Sequence, residues 1–488
     1  MTRDLPTSTG SEGDPWDLLV VGGGTAGIVG AKTAARLGAR VVLVEHERIG
    51  GDCLWTGCVP SKALLAAADA ADVARRGARF GVAASRVSVD FGQVMDHVRS
   101  AIAHIAPADS MEALERASVS VCTGTARFTG PDTAAIDGQT VAFRQALVAT
   151  GASPALPPVP GLTEVDYLTS ETVWDLTELP TELVILGGGT IGCELGQAFA
   201  RLGSRVTLVE GAARILTRED PRAADEISRA LADDGVDLIT GSAVSRVEHT
   251  GHDTGTLCLD DGRQVPFTCL LVAVGRSPRT AAIGLDAAGV DVDDRGFVVV
   301  DDRLRTTNPR VWAAGDLTGH PQFTHTAGVH ASLAASNAVL GLRRKVDLTA
   351  MPRVTFTDPE VAAVGVPTDR PRAGLRTIEW SHEHVDRAVT EGATDGFTRI
   401  VVDRRSHVLG ATVVGPRAGE TLGELTLAIT QGLTTRDLAG VTHAYPTYND
   451  GAWSAAISDV QKQLERPGTR LAFGALARAR RWWVDRDD

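Results

Sequence analysis

Short apolar runs alternate with helix-length segments through the first part of the chain. "DLLVV" (Asp17 to Val21) is followed by a glycine-rich turn, an alanine-rich segment ending in "RLG", and a second run, "RVVLV". Such runs, rich in Val and Leu and bounded by glycine, predict buried strands of a parallel sheet. The order then returns: "VVGGGTAGIVGAKTAARLGARVVLVE" (Val20 to Glu45) reappears as "ILGGGTIGCELGQAFARLGSRVTLVE" (Ile185 to Glu210). Each copy reads as strand, glycine turn, helix, strand and acidic residue. The pattern predicts an α/β fold with two Rossmann-type dinucleotide-binding units. From Met351 it changes. "TRIVVDRRSHVLGATVVG" (Thr398 to Gly415) predicts two strands around a turn, and "ETLGELTLAITQGL" and "GAWSAAISDVQKQL" carry helical apolar spacing. A third domain of α+β type is expected over 351–465.

The glycines of each copy have separate tasks. Gly22 and Gly187 permit the tight turn, Gly24 and Gly189 let backbone approach a pyrophosphate, and Gly27 and Gly192 allow close packing of helix on strand. The helix N-terminus offers N–H groups and a positive dipole end to the phosphates. Glu45 and Glu210 end the second strands, where a carboxylate accepts hydrogen bonds from ribose hydroxyls. Two sites imply two dinucleotides, for which a flavin and a nicotinamide are the natural pair. A carboxylate at Glu210 repels a 2′-phosphate, which favours NADH over NADPH. Arg214 is the nearby cation that could oppose this preference.

At 488 residues the chain has room for about three domains. A formal net charge of −13 argues against a nucleic-acid partner. No apolar run reaches the length of a membrane span. The segment "MTRDLPTSTGSEGDPW" has no apolar core of a secretory signal, so 1–15 is expected to be a disordered tail and the location cytoplasmic. The six cysteines are too few to form a disulfide framework in a chain this long. Cys122, Cys193, Cys258 and Cys269 stand singly and are expected to be inert core residues. Cys53 and Cys58 differ, lying close together in "GGDCLWTGCVPSKALL" (Gly50 to Leu65). A zinc clip needs further ligands and no second knuckle is present, so no metal site is expected. A structural disulfide closing so short a loop would stabilise little. A redox pair fits better. Pro60 is a plausible first helical residue, so Cys58 falls near a helix N-terminus, where the dipole stabilises a thiolate.

With "GGDCLWTGCVPSK", the two glycine motifs, "ALVATGASP", "LLVAVGRSP" and "TTNPRVWAAGD" in this order, the sequence resembles the class I pyridine nucleotide-disulfide oxidoreductases. These include dihydrolipoamide dehydrogenase, glutathione reductase and mercuric reductase. The likeness runs from about Trp16 to Leu464. It implies FAD on the first motif with Glu45, and NAD(P)H on the second with Glu210. It implies domain crossings at "ATG", with Thr150 and Gly151, and at "AVG", with Gly275. Asp316 resembles the carboxylate that binds the ribityl chain, and Thr324 and His325 belong to the segment beneath the isoalloxazine. The nicotinamide domain (154–279) is then inserted in an FAD domain (16–153 and 280–350), followed by a dimerisation domain (351–465) and a basic-aromatic tail (466–488). Lys62 resembles the lysine beside flavin N5, and Glu194 its acidic partner. The implied route takes electrons from NAD(P)H through FAD to a Cys53–Cys58 disulfide. Cys58 resembles the thiol nearest the flavin, and Cys53 the interchange thiol that meets a small-molecule disulfide. A homodimer is implied.

The pattern breaks in three places. Where these enzymes carry a His-Pro-Thr segment and a glutamate, this chain has "THAYPTYND" (Thr442 to Asp450), with Tyr445 at the histidine position and Asp450 at that of the glutamate. His443, two residues earlier, is the other candidate for proton transfer. A phenol is a poor base, so disulfide turnover of the usual kind is in question, and Tyr445 is a mercuric-reductase-like feature. The terminal "RRWWVDRDD" nevertheless lacks the vicinal cysteines of that enzyme. A metal ion or a quinone therefore stands beside a disulfide as alternative substrate. Asp52 and Trp55 also depart from the common motif, and Trp55 is expected to pack against the flavin domain. The tail beyond Pro467 is expected to pack on the dimer or to be partly disordered, the alternatives being an anionic lipid surface and a protein partner.

Overall fold

The computed structural model describes residues 14–251, 254–369 and 373–486. Most of the expected N-terminal tail, residues 1–13, lies outside them. The chain divides into two compact units. One takes residues through Ile215 together with Leu231–Val346, and the other takes Leu216–Ala230 together with the residues from Asp347 on.

In the first unit, Val119–Thr123, Val41–Glu45, Trp16–Val21 and the C-terminal half of Gln139–Val148 lie side by side in parallel. The N-terminal half of Gln139–Val148 instead pairs antiparallel with Thr133–Ile136, which continues to Ala126–Gly130. The chain leaves this sheet after Val148 and returns at Val311–Ala313, which adds in parallel beside Ala146–Val148. The excursion builds a second parallel sheet in the order Val236–Thr240, Arg205–Glu210, Glu182–Leu186, Leu270–Val272, Leu168–Thr169. The central strands of both sheets are fully buried, with Leu18, Leu19, Leu43, Leu147, Ile185 and Leu208 at 0% exposure. That burial explains their continuous apolar runs, since helices or strands cover both faces. The two crossings pair with each other: Ala152–Pro154 runs antiparallel to Arg276–Pro278.

Within this unit the helices Cys58–Arg76 and Thr190–Leu202 face each other across a charged seam. The buried Arg201 donates to Asp69 at 2.7 Å and to Asp234 at 2.8 Å, and its carbonyl accepts from Arg75. Two carboxylates satisfy this guanidinium, which otherwise would be costly to bury.

The second unit is built on an antiparallel sheet in the order Arg353–Thr355, Glu360–Gly365, Val408–Gly415, Phe397–Val402, Arg376–Ser381. Helices Ala418–Gln431 and Asp450–Leu464 share its apolar core. The sequence pattern reveals only the two central strands. Of the others, Arg353–Thr355 is short, and Arg376–Ser381 carries Arg376 and Glu379, which ion pairs accommodate. The unit also holds Leu216–Ala230, which the sequence places in the nucleotide domain. Here the buried Asp220 accepts from Thr368 Oγ1 at 2.7 Å and from Arg399, while Arg353 donates to Glu219 at 2.7 Å. Acids and arginines far apart in sequence drive this grouping, which apolar periodicity does not report.

Of the expected tail, Pro467–Val484 is a helix with no buried residue, and it follows directly on helix Asp450–Leu464. No described helix is long and apolar enough to cross a membrane.

Candidate active site

Both glycine loops are built alike. Gly22 and Gly187 hold φ of 105° and 115°, and a Cβ on either would fall 2.5 Å from the carbonyl of Ala149 or Ala273 on the neighbouring strand. Gly27 and Gly192 have still less room. A Cβ there would lie 1.8 Å and 1.9 Å from the carbonyl oxygens of Gly22 and Gly187. The third glycine of each motif therefore lets its helix press on the loop that precedes it, with the strand side chains Val20 and Ile185 next in line. A Cβ on Gly189 would meet nothing, and one on Gly24 only Gly51 Cα at 3.7 Å.

The two carboxylates occupy equivalent places. Glu45 Oε2 accepts from Gly23 N at 2.6 Å, and Glu210 Oε2 from Gly188 N at 2.7 Å. Their Oε1 atoms take Glu47 N and Ala212 N, each at 2.8 Å. A carboxylate is thus fixed at the lip of each loop. Neither helix has a side-chain cap, and neither has an acid in its first turn to repel a phosphate. These features fit two dinucleotides.

Thr150 and Gly151 do a different job. Thr150 Oγ1 donates to the carbonyl of Arg279 at 2.6 Å, and Gly151 O accepts from Arg279 N at 2.9 Å. They tie one crossing to the other. Gly151 and Gly275, with φ of 69° and 138°, turn the chain at each crossing.

Cys53 lies in a short helix, Gly51–Trp55, and Cys58 opens a long one, Cys58–Arg76. The long helix begins two residues before Pro60, so Cys58 itself is in its first turn, not merely near it. Cys53 and Cys58 are free thiols in hydrogen-bond contact. The bond from Cys53 draws the Cys58 thiol down to about 6, aided by Thr324 and by the charge of Lys62. That same bond, with burial, pushes Cys53 well above the usual thiol range. The pair therefore shares one negative charge, held on Cys58. Thr324 opens the helix Thr324–Leu340, and its hydroxyl lies 3.4 Å from Cys58 Sγ. His325 beside it stacks on Phe323 with ring centroids 5.2 Å apart.

Lys62, one turn along the same helix, donates to Glu194 Oε2 at 2.8 Å. Glu194 is 3% exposed, on the helix of the second glycine loop. On the other side of the thiols lies an ion cluster. Arg276 Nη2 is 3.1 Å from Asp52 Oδ2, and its Nε is 3.5 Å from Asp316 Oδ2. Burial raises the Asp316 carboxyl. Asp52 also accepts from Thr56 Oγ1 at 2.6 Å. Asp52 is thus tied to the crossing through Arg276, a residue the sequence reading passed over. Trp55 donates to Ile49 O at 2.8 Å and packs under Arg48, which is a structural role.

In the second unit, Tyr445 and His443 turn to different partners. The Tyr445 hydroxyl donates to Asp386, and that bond raises the phenol above its ordinary value of 10.0. Asp450 serves its own turn, with Oδ2 accepting from Thr447 N at 3.3 Å. The carboxylate that orients the tyrosine is therefore Asp386, not the residue at the glutamate position. His443 Nε2 is 2.7 Å from Glu424 Oε1, its Nδ1 is 3.1 Å from Val441 O, and its ring stacks on Trp453. With both nitrogens engaged and a side chain 6% exposed, His443 is a packing residue. Asp386 and Glu424 carried no sequence signal, because they lie 59 and 19 residues from the groups they bind.

The other four cysteines carry no such arrangement. Cys122, Cys193 and Cys258 are buried, and burial pushes Cys193 above the thiol range and Cys269 up to about 11.

Comparison with known proteins agrees with this geometry. The family model "Pyridine nucleotide-disulphide oxidoreductase" matches residues 16–331, and the dimerisation-domain model of the same family matches 351–456. A mercuric reductase of Streptomyces lividans is 39% identical over 92% of this chain and 97% of its own length. A dihydrolipoyl dehydrogenase of Chlamydia muridarum is 34% identical over 94% and 99%. The Cu(II) complex of the HOCl-induced flavoprotein disulfide reductase RclA from Escherichia coli superposes with a TM-score of 0.79 at 28% identity, covering 89% of this chain and 98% of that one. The chain therefore belongs to the pyridine nucleotide-disulfide oxidoreductases, flavoenzymes that bind FAD and NAD(P)H.

Proposed function

We propose that the protein passes electrons from NAD(P)H through FAD to the Cys53–Cys58 pair and on to a small disulfide. The division of charge between the two thiols carries this reading: a stabilised thiolate at Cys58 and a protonated Cys53. FAD, when bound, takes up two electrons as hydride from the nicotinamide and delivers them to the Cys53–Cys58 disulfide. Glu45 and Gly22 to Gly27 would hold it, together with Asp316 and the helix N-terminus at Thr324 and His325. Glu210 and Gly187 to Gly192 would hold the nicotinamide dinucleotide, with NADH preferred. Lys62, bound to Glu194 at 2.8 Å, offsets negative charge that develops beside it.

Cys53 is the thiol that meets substrate. On losing its proton it attacks one sulfur of the substrate disulfide and expels the other as a thiol. Cys58 then attacks Cys53, releasing the second thiol and restoring the internal disulfide. The sum is NAD(P)H, one proton and one disulfide giving NAD(P)⁺ and two thiols. The dimerisation domain supports a homodimer, and in this reading Tyr445, held by Asp386 rather than by Asp450, completes the thiol site of the other subunit.

A soft metal ion is the second reading, and Tyr445 favours it. Thiol–disulfide interchange calls for a base near the interchange thiol, whereas a phenol bound to Asp386 stays protonated at neutral pH. A thiophilic ion needs ligands more than a base. Relatives named for mercuric reduction and a neighbour solved as a Cu(II) complex add to this reading.

Anaerobic titration with NADH, followed by small disulfides, Hg(II), Cu(II) and quinones, tests both. Disulfide or metal reduction should vanish in Cys53→Ser and Cys58→Ser. Quinone reduction that survives both substitutions would overturn the reading that the thiol pair is the working site.

A further inference from the structure

The strongest feature outside the site is the helix Pro467–Val484. Its apolar residues are uncovered: Leu471 is 71% exposed, Leu476 63%, Trp482 59% and Trp483 53%. They share one broad face. Leu471 and Trp482 are eleven residues apart, and so, with Ala between them, are Ala472 and Trp483, which returns each pair to nearly the same angle on a helix. Arg478 borders that face on one side and Arg480 separates it from the equally uncovered Phe473, while Arg470 and Arg481 point away from it. The helix carries these four arginines and no acidic residue, on a chain whose formal net charge is −13.

We propose that this helix lies in the plane of an anionic lipid surface. Burying the apolar face requires an apolar medium, and the bordering arginines can keep their stems along it while their guanidinium groups reach lipid phosphates. Paired tryptophans suit the headgroup level, where an indole is partly apolar and partly wet. Arg480 stands 4.5 Å over the Trp483 ring and Arg486 3.8 Å over that of Trp482, so cation and indole are held at one depth. The charge balance also bears on the alternatives. A basic helix on an acidic chain would be drawn to its own surface, yet none of its residues is buried. Pairing two such helices from two copies would bring like charges together. The helix is too polar to span a membrane, so an in-plane position is the one that buries its face.

The test uses the FAD-loaded full chain, a chain ending at Arg466, and the double variant Arg478→Ala/Arg480→Ala. Each is floated with vesicles of equal parts phosphatidylglycerol and phosphatidylcholine, and with phosphatidylcholine alone. The full chain should float with the anionic vesicles only, release as salt is raised, and shift its tryptophan emission to the blue. The shortened chain should stay behind while keeping its NADH oxidation. Each arginine removed should weaken binding about fivefold. Failure of the full chain to float overturns the proposal, as does equal flotation of the shortened chain. A dimer that falls apart in the shortened chain, with no flotation of the full one, would instead make the helix a cover for the second subunit.

Discussion

Lys62 Nζ stands 2.8 Å from Glu194 Oε2, and this bond joins the helix that carries the redox thiols to the helix of the second glycine loop, 132 residues away. It makes one charged element of two dinucleotide-binding halves. Glu194 is almost wholly buried and Lys62 is not, so the carboxylate depends on the lysine more than the reverse.

Lys62→Met is therefore expected to act twice. Loss of this ion pair from the buried carboxylate should cost about 1–3 kcal/mol in stability, between the values for exposed and buried pairs. Reduction by NADH should slow by roughly 10²-fold, the usual loss when one preorganised positive group is removed. Glu194→Gln keeps the hydrogen bond but not the charge and should do less on both counts. Thermal melting and stopped-flow reduction measure the two effects. An unchanged rate in Lys62→Met would remove the lysine from the chemistry.

Reduction by two electrons should produce a long-wavelength absorbance band, because a thiolate at Cys58 is held at the helix N-terminus. The Cys58 thiol is drawn down to about 6. The band should therefore be present at pH 7 and above and fade as pH falls through about 6, where the thiolate takes up its proton. Cys58→Ser should lack it at every pH, and Cys53→Ser should keep it. A band that persists in Cys58→Ser assigns the charge to the wrong sulfur.

NADH is expected to be the better reductant. Glu210 is fixed by Gly188 N and Ala212 N, so it cannot easily withdraw from a 2′-phosphate. A like-charge contact at the protein surface costs about 1–4 kcal/mol, or roughly fivefold and upward in kcat/KM. Glu210→Ala should narrow the preference chiefly by improving NADPH. Initial rates with both cofactors decide it, and a wild-type preference for NADPH would show that a nearby cation outweighs the carboxylate.

Tyr445→Phe should slow re-oxidation by a few-fold to about tenfold, the usual worth of a hydrogen bond to a neutral group, and leave reduction by NADH almost unchanged. Asp386→Asn should act in the same direction, since it loosens the hydroxyl. The phenol is raised above 10.0, so no ionisation of Tyr445 should appear in the pH profile below that value. Tyr445→His should introduce one near neutrality and raise turnover of small disulfides. Single-turnover re-oxidation across pH reads all of these, and a wild-type inflection near pH 7 that Tyr445→Phe abolishes would contradict the assignment.

How much of this was legible in advance depends on the distance over which each feature is decided. The glycine loops, their strands and helices, the terminal carboxylates and the thiol pair all lie in contiguous stretches. Local periodicity and turn chemistry report such features directly. Lys62 and Glu194 came from resemblance, and their 2.8 Å contact is a fact of packing. The orienting partners were invisible. Asp386 reaches Tyr445, Glu424 reaches His443 and Arg276 reaches Asp52 across long separations in sequence, and a lone charged residue has no pattern that marks its partner.

By itself the sequence determined the two dinucleotide cradles, because their geometry is dictated by glycine conformations and by a strand that must be apolar on both faces. It also determined that one of two close thiols, Cys58, stands at a helix start. Tertiary structure alone brought the Thr324 hydroxyl, 266 residues beyond Cys58, within 3.4 Å of that sulfur. It decided that Leu216–Ala230 joins the C-terminal unit, through ion pairs with Arg353 and Arg399. It also decided that Tyr445, not His443, is the exposed group of its loop, because an imidazole with two acceptors and an aromatic wall is held in place, while a phenol with one acceptor remains at the surface.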